Sequence, residues 1–409
     1  MSSDFNLVKK PKKEEEEFDE EEDIELDDDE STSKKSSGSN DDARKRLFLL
    51  MGIIVGGTVV LLIILYIASL FTNKNYSYDD MESIMKEAAI SYFADYPDYL
   101  PKDDGDIVEV DTANLVVAGK MKALAEYRND GVVCTGTVQV EKAGSEYLYL
   151  PFLNFGESYY SVELANKIVT DNPVKTSGDG LYSNGGNYVF RGENVNNYVQ
   201  LDNSLWRIVK VNSDGNVVLI HANGLDFYQP WDDRYNEEMQ YQSGVNNFNV
   251  SRIKEYLQKI YSNPSEDDGE DILSDKDKAR ITSYTLCIGN RSADSESKTN
   301  TEECRQKAQN QKLGLLTLSE YLYASLDTGC KSANTRACMN YNYLAMSDEW
   351  WLVTANSENT STVFKVDRNG IVKADNTSTY SKVRPVVYLN SRIMYLEGKG
   401  TLAEPYKVK

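Results

Sequence analysis

Residues 348–357 read DEWWLVTANS, placing two tryptophans side by side in a chain that has four. Strand neighbours point to opposite faces, so a single wall cannot cover both. In WWLVTA, Trp350, Leu352 and Thr354 share one face, and Trp351, Val353 and Ala355 share the other. Both faces are mainly apolar, which predicts a strand covered on both sides and two buried tryptophans, Trp351 the deeper. A tryptophan serving only to bind is expected to project from a loop such as QPWDDRY, which carries Trp231 between Tyr228 and Tyr235. These three are the candidate ligand-binding residues.

Strands surround this segment. LWRIVKV and VVLIH, with a turn at Asp214-Gly215 between them, form a meander. TVFKVDRNGIVKA is a hairpin turning at Asn369-Gly370, followed by VRPVVYL and PYKV. Trp206 and Arg384 join Trp350 and Trp351 as expected core residues. NVSRIKEYLQKIYS is a helix capped at Asn249 or Ser251, with Val250, Ile253, Leu257 and Ile260 on one face. GLLTLSEYLYAS is a short helix with Thr317 as N-cap and Glu320 completing a capping box. NPSEDDGEDILSDKDKAR between the two reads as an acidic surface loop.

Nearer the N-terminus, SYDDMESIMKEAAISYFADYPDYLP is a capped amphipathic helix whose face runs Met81, Ile84, Met85, Ala88, Ala89, Tyr92 and Phe93. The strands DIVEVDT and GVVCTGTVQVEKAGSEYLYLPFL follow, with a second helix over ANLVVAGKMKALAEY. Residues 76–155 are thus a small α+β domain, 156–180 a linker with one short helix, and 181–409 a strand-rich distal domain.

Residues 1–46 are a disordered acidic tail. The first 43 residues hold 17 Asp/Glu against 6 Lys, a net of −11, with little apolar surface to bury. Such a run is a solubilising tail or an acidic bait for a basic cytosolic partner. The formal charge of −21 argues against nucleic acid, whose phosphates need clustered Lys and Arg. Residues 47–71 are 25 positions without a charge, about 37 Å as a helix and long enough to cross a bilayer. Arg44, Lys45 and Arg46 on the N-terminal flank predict a single-pass anchor with the tail in the cytosol and residues 72–409 outside.

Cysteine usage fits an oxidising compartment. Cys287 and Cys304 lie 17 positions apart, Cys330 and Cys338 lie 8 apart, and each pair is read as a disulfide. Closing loops of this size contributes about 2–3 kcal/mol apiece in the chain-entropy model. The competing four-thiolate zinc site lacks any C-x-x-C pair. Cys134 is the odd one, a buried thiol or one that pairs between chains.

Two blocks carry a resemblance: GLYSNGGNYVFRGENVNNYVQLDNSLWRIVKVN, and WWLVTANSENTSTVFKVDRNGIVKADNTSTYSKVRPVVYLNS closing in GKGTLAEPYKV. Together they resemble an uncharacterised family of bacterial, largely Gram-positive, surface domains related to the C-type-lectin-like fold shared with formylglycine-generating enzymes. The stretch CTGTVQV…YLYLPFL resembles the segment that precedes such domains, where a second cysteine commonly follows the tyrosine-rich strand; here the chain reads LPFLNFG. The resemblance implies a lectin-like distal fold and a surface location, and brings no activity with it.

Catalytic chemistry finds few handles. His221, the only histidine, ends the apolar strand VVLIHA as a structural residue would, and neither a G-x-S-x-G elbow nor H-E-x-x-H occurs. SEDDGEDILSD has the wrong register for a calcium loop. No metal or cofactor is expected, and the cysteine-pair metal chemistry of the oxidase relatives is not carried over. The 28 tyrosines suit sugar or protein recognition, or reflect composition bias. The expected function is non-enzymatic: an anchored surface protein whose distal domain binds a cell-wall glycan or a protein. The alternatives are a carboxylate-dependent glycan-acting enzyme and a structural subunit of an envelope complex.

Overall fold

The computed structural model describes residues 75–128, 131–143, 145–202, 204–241, 243–262 and 271–409. The acidic tail, its basic flank and the apolar run 47–71 lie outside these residues, and with them the expected cytosolic partner of the tail. Among the described residues no helix is long and apolar enough to cross a membrane. The expected fold class is corrected on this point to a mixed α/β fold with no spanning helix among the described residues. The membrane location and the in-out topology that rested on the span are withdrawn with it.

The first helix, Tyr78–Asp95, starts at a capping box in which Ser77 and Asp80 exchange hydrogen bonds. It buries Met81, Met85, Ala88, Ala89 and Phe93 against an antiparallel sheet of Ile107–Asp111, Thr135–Ala143 and Glu146–Asn154. The expected second helix is two short ones, Thr112–Val117 and Leu124–Tyr127, because the chain turns left-handed at Gly119 between them. Glu82, on the same helix, is buried with Lys409 at 2.6 Å and the Tyr159 hydroxyl at 2.7 Å.

A second, larger core spans residues 164–408. The segment read as a linker is partly built into it, since helix Leu164–Asp171 buries Leu164, Ala165 and Ile168 there. Residues Asn75–Lys409 form one compact unit, with Lys409 and Arg392 reaching from the larger core to Asp79, Glu82 and Glu141 of the smaller.

The largest sheet runs Val386–Leu389, Val217–His221, Ser204–Val211, Tyr198–Leu201, Tyr406–Val408, Tyr395–Glu397. Neighbours pair antiparallel except Tyr406–Val408, which lies parallel to Tyr198–Leu201. A hairpin of Gly180–Asn184 and Asn187–Arg191 joins it through Ser204–Val211. Every residue of Val217–His221 is buried, so this strand is covered on both faces.

The double-tryptophan strand, Trp350–Asn356, is likewise buried throughout. It sits between Asn290–Arg291, which pairs parallel, and Thr362–Val366, which pairs antiparallel. It does not pair with Val386–Leu389, which pairs with Val217–His221 instead. Trp350 packs against Tyr321 and the Arg384 guanidinium, 4.6 Å from its ring, while Trp351 donates to the Gln229 carbonyl at 2.8 Å. Both are fully buried, so neither is the deeper.

Two further local readings change. Val250 lies in the 3-10 turn Phe248–Val250 and is exposed; Ser251 precedes the helix Arg252–Ser262, which buries Ile253, Tyr256, Leu257 and Ile260. Residues 271–280 are not a free acidic loop. Ile272 and Leu273 are buried, and helix Asp275–Arg280 carries a buried Arg280–Asp277 pair at 2.9 Å. The Asn369-Gly370 turn forms as expected, with Gly370 at φ +77°, where a Cβ would also press on Ala345 and Met339.

Candidate functional site

Both expected disulfides form, Cys287–Cys304 and Cys330–Cys338. The first closes the loop carrying Lys298, Thr299 and Asn300. A buried ion pair inside that loop, Arg291 to Glu303 at 3.3 Å, is tied to the helix Leu318–Ala324. The Glu303 carboxylate accepts from the Ser319 backbone N–H at 3.1 Å and from its hydroxyl, which also donates to the Thr299 carbonyl at 3.0 Å. Two constraints thus fix the loop against the helix.

Between loop, helix and hairpin lies a partly enclosed cavity of about 250 Å³. Its apolar lining includes Val189, Phe190, Val209, Ala324 and the Tyr343 ring. The polar lining includes Lys210, Lys298, Thr299, Glu320, Tyr323 and the asparagines 184, 187 and 300. Thr317 and Glu320 form the expected capping box, the Glu320 Oε2 accepting from Thr317, while its other oxygen meets Lys210 Nζ at 2.7 Å. One carboxylate therefore caps the helix and anchors the pocket.

Burial pushes the Glu320 carboxyl up, but the Lys210 charge and the hydrogen bonds outweigh it and hold it below the usual range. Burial pulls the Lys210 amine down, and the Glu320 charge more than reverses this. Lys298 is different. Burial pulls its amine below the ordinary lysine value, the Arg191 charge adds to that, and Asp327 only partly opposes. Arg191 lies against Tyr323, 4.5 Å from the ring, and donates to the carbonyls of Tyr323 and Ser325.

The residues singled out from sequence fall elsewhere. Trp231 is fully buried, its indole N–H donating to the Leu352 carbonyl at 3.1 Å, so it is a core residue and not a loop platform. Tyr228 is half-buried and donates to Asp348 at 2.9 Å; Tyr235 is exposed. With Trp231 turned inward, the three do not form one aromatic surface. Trp206 and Arg384 are buried as expected, and Arg384 donates to the carbonyls of His221, Leu344 and Ala222. Lys210 and Lys298 carried no local signal.

Other surfaces are weaker. A larger cleft, about 620 Å³, is lined by surface charges that already pair: Lys167 with Asp171, Lys407 with Glu397 and Lys399 with Glu404. Cys134 is unpaired and half-buried on an apolar cleft, and burial raises its pKa, away from a reactive thiolate. Among the described residues no group of His, Cys, Asp and Glu could hold a metal ion.

His221 is buried against the edge of Trp206, ring centroids 5.2 Å apart. Burial, then the Arg384 charge and Lys382, pull its pKa down to about 4 from 6.5, with Gly224 and Asp226 opposing. Below pH 6.5 the unfolded chain takes up a proton that folded His221 refuses. Its contribution is full above that pH and drains away toward pH 4, a loss of about 3 kcal/mol at most. Urea titrations from pH 7 to 4 should show a steeper decline for the native chain than for His221→Leu. Parallel profiles would exonerate the histidine.

A family model described as a domain of unknown function (DUF6273) matches residues 214–391, less than half of the chain. No curated protein and no solved structure matches it. The similar region takes in Lys298, Glu320, Tyr323 and Tyr343 and leaves out Lys210 and the 180–191 hairpin, so the pocket straddles its edge.

Proposed function

We propose that this protein binds a glycan, non-enzymatically, through the pocket between the 298–300 loop and the helix Leu318–Ala324. What supports this reading is the make-up of the walls: apolar and tyrosine surfaces beside asparagine amides and a neutralised ion pair. Sugars present apolar ring faces and many hydroxyls, and this mixture offers partners for both. The same lining speaks against glycan hydrolysis, which uses two carboxylates across the bond. Glu320 is the single carboxylate lining the cavity among the described residues, and Lys210 and Thr317 already occupy it. A general acid needs a raised pKa, and this one is lowered.

Thr299 is exposed at the rim, so Thr299→Trp obstructs the mouth without entering the core. On a glycan array the native protein should retain a defined set of sugars, and Thr299→Trp should lose about ten-fold or more in affinity for them. Retention unchanged in the variant would move binding elsewhere. Cleavage of a retained glycan by the native protein would replace a binding role with an enzymatic one.

A further inference from the structure

We infer that the pocket selects a sugar bearing a carboxylate, with Lys298 as the residue that reads it. The inference rests on the pocket being the glycan site. The chain carries 65 acidic against 44 basic residues, yet the pocket lining reverses that balance with two lysines and one glutamate. Glu320 takes up the Lys210 charge at 2.7 Å. Lys298 is half-buried and, among the described residues, has neither a hydrogen bond nor an ion pair.

The nearby Arg191 does not balance this charge but adds to it. Its guanidinium is spent on the Tyr323 and Ser325 carbonyls, at 2.7 and 2.8 Å, and on the faces of Tyr182 and Tyr323. Asp327, the opposing acid, accepts from the Asn340 amide and the Gly329 N–H. Asp327 keeps its charge under these neutral donors and opposes only in part. Two cations against one carboxylate leave a net positive charge at the half-buried ammonium that an entering anion balances. The ligand supplies that anion.

Size narrows the class further. At about 250 Å³ the cavity is smaller than pockets for drug-sized molecules. It suits one sugar ring, such as a uronic acid at the end of a chain. Position is fixed in advance, because the disulfide and the Ser319–Thr299 bond hold the loop that carries Lys298. Less ordering is then required when the ligand enters.

Titration calorimetry on the full-length oxidised protein with glucuronate, glucose and glucose 1-phosphate tests this. Glucuronate should bind about ten-fold more tightly than glucose, the scale of one charge-assisted hydrogen bond. Lys298→Gln should bring that ratio to about one, while Lys298→Arg keeps most of it, with melting curves confirming that both fold. Equal affinity for glucose and glucuronate, a preference that survives Lys298→Gln, or tighter binding of glucose 1-phosphate would each overturn the inference. Equal affinities that Thr299→Trp abolishes would overturn only the carboxylate preference. Absence of binding by all three sugars, or binding indifferent to Thr299→Trp, would overturn the pocket reading along with it.

Discussion

Trp351→Ala is expected to destabilise the protein by about 3–5 kcal/mol, the usual cost of emptying a buried aromatic site. The indole is fully buried, its N–H donates to the Gln229 carbonyl at 2.8 Å, and Lys365 Nζ lies 5.4 Å from its ring. Truncation leaves a cavity in a strand flanked by others on both edges and strips a partner from a backbone carbonyl. Lys365 is itself buried and paired with Asp375 and Glu349 at 2.6 and 3.0 Å, so the surroundings are held and cannot collapse into the space. Chemical denaturation reads the loss directly. A midpoint unchanged in Trp351→Ala, with glycan binding abolished, would make this strand the binding face and remove the 298–300 pocket from that role.

Glu303→Ala should cost a similar amount, about 3–5 kcal/mol, for a different reason. Its carboxylate and the Arg291 guanidinium are both fully buried, and Arg291 Nε already lacks a hydrogen-bond partner. Removing the acid leaves a cation in the interior and orphans the Ser319 N–H. Replacing both partners, Arg291→Met with Glu303→Leu, should recover much of the stability, because no unpaired charge remains. The double variant should still bind glycan more weakly than the native protein, since the loop carrying Lys298 loses its tie to the helix. A single variant as stable as the native chain would mean that Arg291 finds another partner or that water reaches the pair.

Much of the secondary structure was legible because local rules and tertiary demands agree. The Asp214-Gly215 and Asn369-Gly370 turns, the Thr317–Glu320 cap and the Ser77 helix start are short-range signals, written within four residues. The tryptophan pair was legible as buried because both of its flanking faces are apolar, a property of the strand alone. The strands beside it were not. Pairing depends on contacts between segments far apart in sequence, and no short-range rule distinguishes Thr362–Val366 from Val386–Leu389 as a neighbour.

Trp231 departs from its expected place on a loop surface for a related reason. QPWDDRY looks like a polar loop, but the chain folds back so that Trp231 inserts beside Phe248 and reaches the Leu352 carbonyl. Asp232, in the same loop, is buried too, accepting from the backbone of Val245 and Arg252 and from Arg234. Polar composition predicted exposure, and hydrogen bonds from distant segments reversed it.

The sequence by itself determined the strand-rich character, the turns, the two cysteine pairings and the burial of the double tryptophan. The first two and the last rest on neighbours along the chain; the cysteine pairings were read from spacing, and each bridge still needed the fold to bring its two thiols together. Only the tertiary structure decided where a ligand could sit. Lys210, Lys298, Glu320 and Tyr343 come from a strand, a disulfide-closed loop, a helix and a later loop, and they meet only when the sheet and the helix have packed. A charge left unpaired in such a place is a property of the assembled fold, because whether Lys298 has a partner depends on what the rest of the chain brings to it.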